Sequence, residues 1–239
     1  MNIPKNLQDR VYWVNPEYDE SELAQNVNGL DLFVSDIDGT IAPCQASKIV
    51  AEKVLEQPIN ILNPRMWNII ATYLSSPREQ AWNKFKEHFL SEKDRADIRE
   101  KYSPEYVNSI IFKGYTDFLK DIPSDAIKIY LTGNIPEIAE GFVKDTRFNG
   151  VIMDVKKKNG IELLLNKYSK KQRIWYSGDH PSDEEALDFL KFRTQKNEID
   201  YVVSLFVSDS PRKINEKYDI NIAQDYSGLH ELVHSNHLS

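Results

Sequence analysis

The sequence predicts an α/β fold: a mostly parallel sheet flanked by helices, with an α-helical insertion after the first core strand. Three observations predict it. Short apolar runs rich in Val, Ile, Tyr and Phe recur at residues 32–34, 127–132, 173–177 and 201–207. Helical patterns separate the later runs one at a time, and strands joined by single helices lie parallel with right-handed crossovers. Between the first two runs, residues 47–122 show helical spacing with few alternating stretches.

Taken in order, Val11, Tyr12, Trp13 and Val14 read as a short strand or an apolar anchor. Residues 17–28 are acidic and polar, a loop or short helix, and residues 1–30 together read as an extension ahead of the core. Leu32, Phe33 and Val34 form a buried strand. Ser47 caps a helix carrying Ile49, Val50, Val54 and Leu55. Pro64, Pro77 and Pro104 each open a further helix, the first with Met66, Trp67, Ile69, Ile70 and Leu74. The second carries Trp82, Phe85, Phe89 and Leu90, and the third Tyr106, Val107, Ile110 and Ile111. The strand at 127–132 ends in Gly133 and Asn134, and Pro136 sits in the first turn of a helix through Ile138, Ala139, Phe142 and Val143. Residues 150–155 read as a strand and 161–168 as a helix. The strand at 173–177 leads into Gly178 and Asp179. Ser182, Asp183, Glu184 and Glu185 resemble a capping box before Ala186, Leu187, Phe189 and Leu190. Strands at 201–207 and 218–223 and a closing helix at 229–233 complete the chain. There is no internal repeat and no low-complexity tract.

With 239 residues, the chain can hold one large α/β domain or a core with a smaller companion. A net charge of −7 argues against nucleic acid or an anionic membrane as the main partner. A phosphorylated ligand would need local cations against that background. The single cysteine, Cys44, excludes an intrachain disulfide and a cysteine-based zinc cluster, and it reads as a packing residue. The N-terminus lacks the apolar core of a signal peptide, and no apolar run approaches the roughly 18 residues of a membrane span. A soluble, cytoplasmic protein is the expectation; the oligomeric state is left open.

The chemistry gathers where the first core strand ends. Asp36 and Asp38 are separated by one residue and followed by Gly39 and Thr40. The glycine turns the chain and leaves both carboxylates at the strand's exit, where open α/β sheets bind ligands. Two such carboxylates repel one another unless a cation or a shared proton offsets the repulsion, and Mg²⁺ is a hard, oxygen-seeking ion that suits them.

This Asp-x-Asp-Gly-Thr stretch resembles the nucleophile motif of the haloacid dehalogenase (HAD) superfamily of phosphatases and phosphotransferases. The resemblance spans about residues 30–235, and three further motifs follow in the family's order. Thr132, before Gly133, stands where the family has a strand-end Ser or Thr that holds a phosphoryl oxygen. Lys156, Lys157 and Lys158 are candidates for its lysine, with Lys158 preferred on its spacing to the helix. Residues 178–183, with Asp179 and Asp183, match its Gly-Asp-x-x-x-Asp form. His180 reads as a turn residue, since Mg²⁺ prefers oxygen.

The resemblance implies a Rossmann-like core at residues 31–46 and 120–239. It also implies a helical cap at 47–119, inserted between the first and second motifs. That position resembles the C1-type caps of phosphoserine and phosphoglycolate phosphatases. It further implies a Mg²⁺-dependent phosphatase acting on a small phosphorylated substrate. Asp36 would be the nucleophile and Asp38 the acid and base. Thr132, Gly133 and Lys158 would bind phosphate, and Asp36, Asp38, Asp179 and Asp183 would hold the ion. Arg65, Arg78, Arg95 and Arg99 are the insert's candidate anion contacts, and Trp67 and Trp82 read as its core. A phosphotransferase or phosphomutase on the same scaffold, and a non-catalytic binding protein that keeps the fold, remain alternatives.

Overall fold

The computed structural model describes residues 12–43, 49, 53, 90–146, 148–153, 156–168, 172–210 and 214–235. Among them lies a seven-stranded sheet. Its strands are β1 (Tyr12–Val14), β2 (Leu32–Ser35), β3 (Ile127–Thr132), β4 (Gly150–Met153), β5 (Arg173–Gly178), β6 (Tyr201–Ser208) and β7 (Ile220–Ala223). The described helices are α1 (Glu20–Asn28), α2 (Glu92–Lys101), α3 (Pro104–Ile110), α4 (Tyr115–Asp121), α5 (Pro136–Thr146), α6 (Lys157–Lys167), α7 (Pro181–Gln195) and α8 (Ser227–Ser235).

The strand order is β1-β7-β6-β5-β2-β3-β4, parallel throughout except for β1, which runs antiparallel to β7. From β2 the chain builds outward through β3 and β4, then returns to the other side of β2 with β5 and continues through β6 and β7. The order therefore reverses between β2 and β5. The carboxyl ends of these two strands flank the crevice in which doubly wound sheets bind ligands.

Alternation along the central strands splits the core into two layers. Phe33, Tyr130 and Trp175 point to one face, where they meet Phe118, Phe142 and Phe148. Leu32, Val34, Leu131, Ile174 and Tyr176 point to the other, against Ile161, Leu164, Leu187 and Leu190 of α6 and α7. Phe33 and Val34 are fully buried. Their burial contributes about 1.5–3 kcal/mol each, enough to hold the strand end rigid despite the charge that follows it.

Of residues 1–30, expected as an extension ahead of the core, the described residues 12–30 pack against this core. Tyr12 to Val14 form the sheet's edge, and Leu23, Ala24 and Val27 of α1 are buried. Asp19 caps α1, accepting from the N–H groups of Ser21 and Glu22, so the acidic stretch is a helix rather than a loop.

Most of the predicted cap, with the helices expected from Ser47, Pro64 and Pro77, lies outside the described residues. The helix opened by Pro104 is present as α3, capped by Ser103. It is preceded by α2, which the apolar pattern does not mark: α2 is almost wholly polar and buries only Ile98. A capping box between Ser91 and Asp94 starts it. Ile98, Tyr102 and Val107 from this part of the insert join the core beside Phe142 of α5.

Candidate active site

The Asp36 carboxylate is fixed by the sheet itself. Asp36 extends the β2–β5 ladder by one step, its N–H donating to the Ser177 carbonyl at 3.0 Å. The chain then folds into a tight turn, in which the Ile41 N–H donates to the Ile37 carbonyl at 3.0 Å and the Gly39 N–H to Ala42 at 2.9 Å. Gly39 has φ +77°, a conformation side chains rarely adopt, and a Cβ there would collide with the Asp179 carboxylate. One residue on, the Thr40 hydroxyl donates to Asp179 Oδ1 at 3.2 Å. The Gly-Thr pair thus brings the exits of β2 and β5 together.

At the end of β5, Gly178 leaves room for Asp183, whose carboxyl a Cβ at Gly178 would strike. The cap of α7 differs from the predicted one. The helix starts at Pro181, and the box joins His180 to Asp183. The His180 N–H donates to Asp183 Oδ2 at 3.0 Å, while the His180 ring Nδ1 accepts from the Ser182 N–H at 3.2 Å. His180 is a turn and capping residue, as its spacing suggests. Asp183 is fully buried, and its Oδ1 also accepts from the Tyr176 hydroxyl at 2.7 Å.

The lysine that enters this cluster is Lys157, not Lys158. Lys157 Nζ lies 2.7 Å from Asp36 Oδ2 and 2.7 Å from Asp183 Oδ1, with a side chain only 5% exposed. Lys158 points away, its Nζ 5.2 Å from the centroid of the Phe189 ring. The reason is helical phase. Lys157 opens α6 on the stripe that continues through Ile161 and Leu164, both buried, so it faces inward and its neighbour faces out. Burial alone would lower the Lys157 pKa, but Asp183 and Asp36 raise it above the ordinary value.

On the other side of Asp36, the turn places Asp38 against the loop that follows β3. Asp38 Oδ1 accepts from Asn134 Nδ2 at 3.0 Å. Thr132, 1% exposed, ends β3, and its Oγ1 accepts from the Asn134 N–H at 3.2 Å. Gly133 lies between them. This loop leads directly into α5 and brings the Thr132 hydroxyl, a group that can donate to an oxyanion, to the site. Thr40, Asn134 and Tyr176 carry no role that the sequence pattern assigns. Each is a neutral donor to an acidic residue, and only folding reveals its partner.

The electrostatics of the cluster bear on a cation. Asp36, Asp179 and Asp183 each offer a carboxylate oxygen within 4.8 Å of the others. The Lys157 ammonium faces Asp36 and Asp183. Burial raises the Asp36 pKa, opposed by Lys157. Burial, then Asp36 and Asp183, push Asp179 up to about 8. An all-oxygen donor set of three neighbouring carboxylates fits a hard divalent ion. Asp36 and Asp179 have the freer oxygens, since Asp183 already serves Lys157, Tyr176 and His180.

Two of the four arginines named as candidate anion contacts pair with a core carboxylate. Arg95 Nη1 and Arg99 Nη2 lie 2.8 and 3.4 Å from Glu137 Oε1, a 2% exposed carboxylate in the first turn of α5. They tie α2 to the core helix. Arg65, Arg78, Trp67, Trp82 and Cys44 lie outside the described residues. No described helix is long and apolar enough to cross a membrane.

No protein-family model matches the sequence, and no curated protein matches it. Solved structures do resemble its fold. A candidate phosphoglycolate phosphatase of Lactobacillus plantarum is 17% identical, with a TM-score of 0.51 over 85% of this chain and 99% of its own. A protein of unknown function from Bordetella pertussis Tohama I is 12% identical, with a TM-score of 0.51 over 77% and 92%. A HAD-family hydrolase of Salmonella enterica serovar Typhi is 11% identical, with a TM-score of 0.50 over 87% and 73%. The chain shares its overall fold with these structures.

Proposed function

We propose that this HAD-fold chain is a Mg²⁺-dependent phosphatase that hydrolyses a small phosphomonoester through an aspartyl-phosphate on Asp36. The observation that carries this reading is the meeting of Asp36, Lys157 and Asp179 at the switch point between β2 and β5. The likeness to a candidate phosphoglycolate phosphatase accords with a small phosphorylated substrate.

In this reading Asp36 attacks phosphorus in line as the bond to the leaving oxygen breaks. Asp38 protonates that oxygen, then takes a proton from the water that hydrolyses the intermediate. Thr132, the Gly133 N–H and Lys157 hold the phosphoryl oxygens, where charge gathers in the transition state. Lys157 also keeps Asp36 ionised and aimed. Asp36 and Asp179, with Asp183 behind them, would hold Mg²⁺, which would supply the charge that lets a carboxylate approach a phosphate dianion. The insert expected at 47–119, of which α2 and α3 are described, would exclude water and select the substrate.

The test is phosphate release from an aryl phosphate and a panel of phosphorylated metabolites, with Mg²⁺ and with EDTA, for the parent chain and Asp36→Asn. Release that requires Mg²⁺ and is lost in Asp36→Asn supports the reading. Release that survives the substitution overturns it.

A further inference from the structure

We infer that Asn134 is the positioning residue for the general acid Asp38, coupling it to the phosphate-holding loop. The inference rests on the phosphatase reading above and adds a residue to it.

Asn134 is 1% exposed, and its amide has a fixed orientation. Its Oδ1 accepts from the Ile135 N–H at 2.8 Å, and a backbone N–H can only donate. The Nδ2 group must therefore face the other way, toward Asp38 Oδ1 at 3.0 Å. A flipped amide would set carbonyl oxygen against carboxylate oxygen and N–H against N–H. The Asn134 backbone N–H is also committed, donating to Thr132 Oγ1 at 3.2 Å. One residue thus orients Asp38, steadies the Thr132 hydroxyl and closes the entry to α5. Asp38 is less buried than Asp36 and lies beyond the end of β2, so the sheet does not hold it as it holds Asp36.

A general acid matters in proportion to how poor the leaving group is, because a stable phenolate departs without a proton. That gives a readout which a merely structural role would not move. With 2,4-dinitrophenyl phosphate, kcat/KM of Asn134→Ala, which reports the steps up to departure of the leaving group and not hydrolysis of the intermediate, should stay within about threefold of the parent. With an alkyl phosphate it should fall by roughly tenfold to a hundredfold, the scale expected for a misplaced catalytic group. Asn134→Asp keeps the oxygen that accepts from the Ile135 N–H but replaces the donor with a second carboxylate, so it should show the same selective loss. In an Asp38→Asn background, Asn134→Ala should add little, since coupled residues are non-additive. Equal losses of kcat/KM on both substrates, or full additivity with Asp38→Asn, would overturn the inference and leave the phosphatase reading intact. A folded parent chain that turns over neither substrate with Mg²⁺ would overturn both.

Discussion

Lys157 Nζ lies 2.7 Å from Asp36 Oδ2, and both side chains are almost closed to water. A buried carboxylate of this kind is costly unless its partner stays in place. Lys157→Met should therefore act twice. Phosphate release should drop by at least roughly a hundredfold, as when one transition-state donor is removed. Stability in urea should fall by about 3–5 kcal/mol, because Asp36 and Asp183 lose their shared countercharge. Lys158→Met, on the exposed face of α6, should change stability by no more than about 0.5 kcal/mol and leave turnover near the parent value. Steady-state kinetics and urea melts on the two variants check this directly.

Gly39 should not accept a side chain. Gly39→Ala places a Cβ at φ +77° and against the Asp179 carboxylate. The backbone strain alone should cost about 1–3 kcal/mol in a denaturant melt. Displacement of Asp179 should also weaken Mg²⁺ binding, measured by calorimetry. Unchanged stability and Mg²⁺ affinity would remove the steric account of the Gly-Thr turn.

The raised Asp179 carboxyl sets a pH dependence with a definite sign. Its folded value of about 8 lies above the ordinary carboxyl value, so the folded chain holds a proton there that the unfolded chain releases. From about pH 4 to about pH 8 this group's contribution to metal-free stability falls as pH rises. A divalent cation takes the proton's place. The rise in Tm produced by Mg²⁺ should be larger at about pH 8.5 than at about pH 6. Isothermal titration should register proton release on Mg²⁺ binding near neutral pH. A Tm gain that shrinks with rising pH would contradict this arrangement.

Tyr176→Phe tests the support beneath the site. It removes the hydroxyl that donates to Asp183 at 2.7 Å while keeping the ring packed in the core. A hydrogen bond to a buried charge contributes about 1.5–3 kcal/mol. Thermal unfolding should show a loss of that size, with turnover reduced less than in Lys157→Met because Asp183 keeps Lys157 and His180.

Much of this site is visible in the sequence, and the physical reasons are specific. Asp36 and Asp179 stand at the ends of apolar runs, and a parallel sheet brings strand ends together whatever the details of packing. Thr132 follows the same logic. The choice among Lys156, Lys157 and Lys158 turns on helical phase. The spacing of Lys157 to Ile161 and Leu164 carries that phase, but distance to the helix start does not, and it favours the wrong neighbour. The helix α2 escapes an apolar pattern because it buries Ile98 alone. The partners of Thr40 and Asn134 lie 139 and 96 residues away along the chain, and no local pattern announces such contacts.

The most direct test of the account is to find where the phosphoryl group goes. The parent chain with Mg²⁺ and an aryl phosphate is quenched in acid during turnover, digested and examined by mass spectrometry. The account predicts one acid-stable, base-labile phosphoryl group on Asp36 and none in Asp36→Asn. A phosphoryl group on another residue, or undiminished turnover by Asp36→Asn, would contradict it.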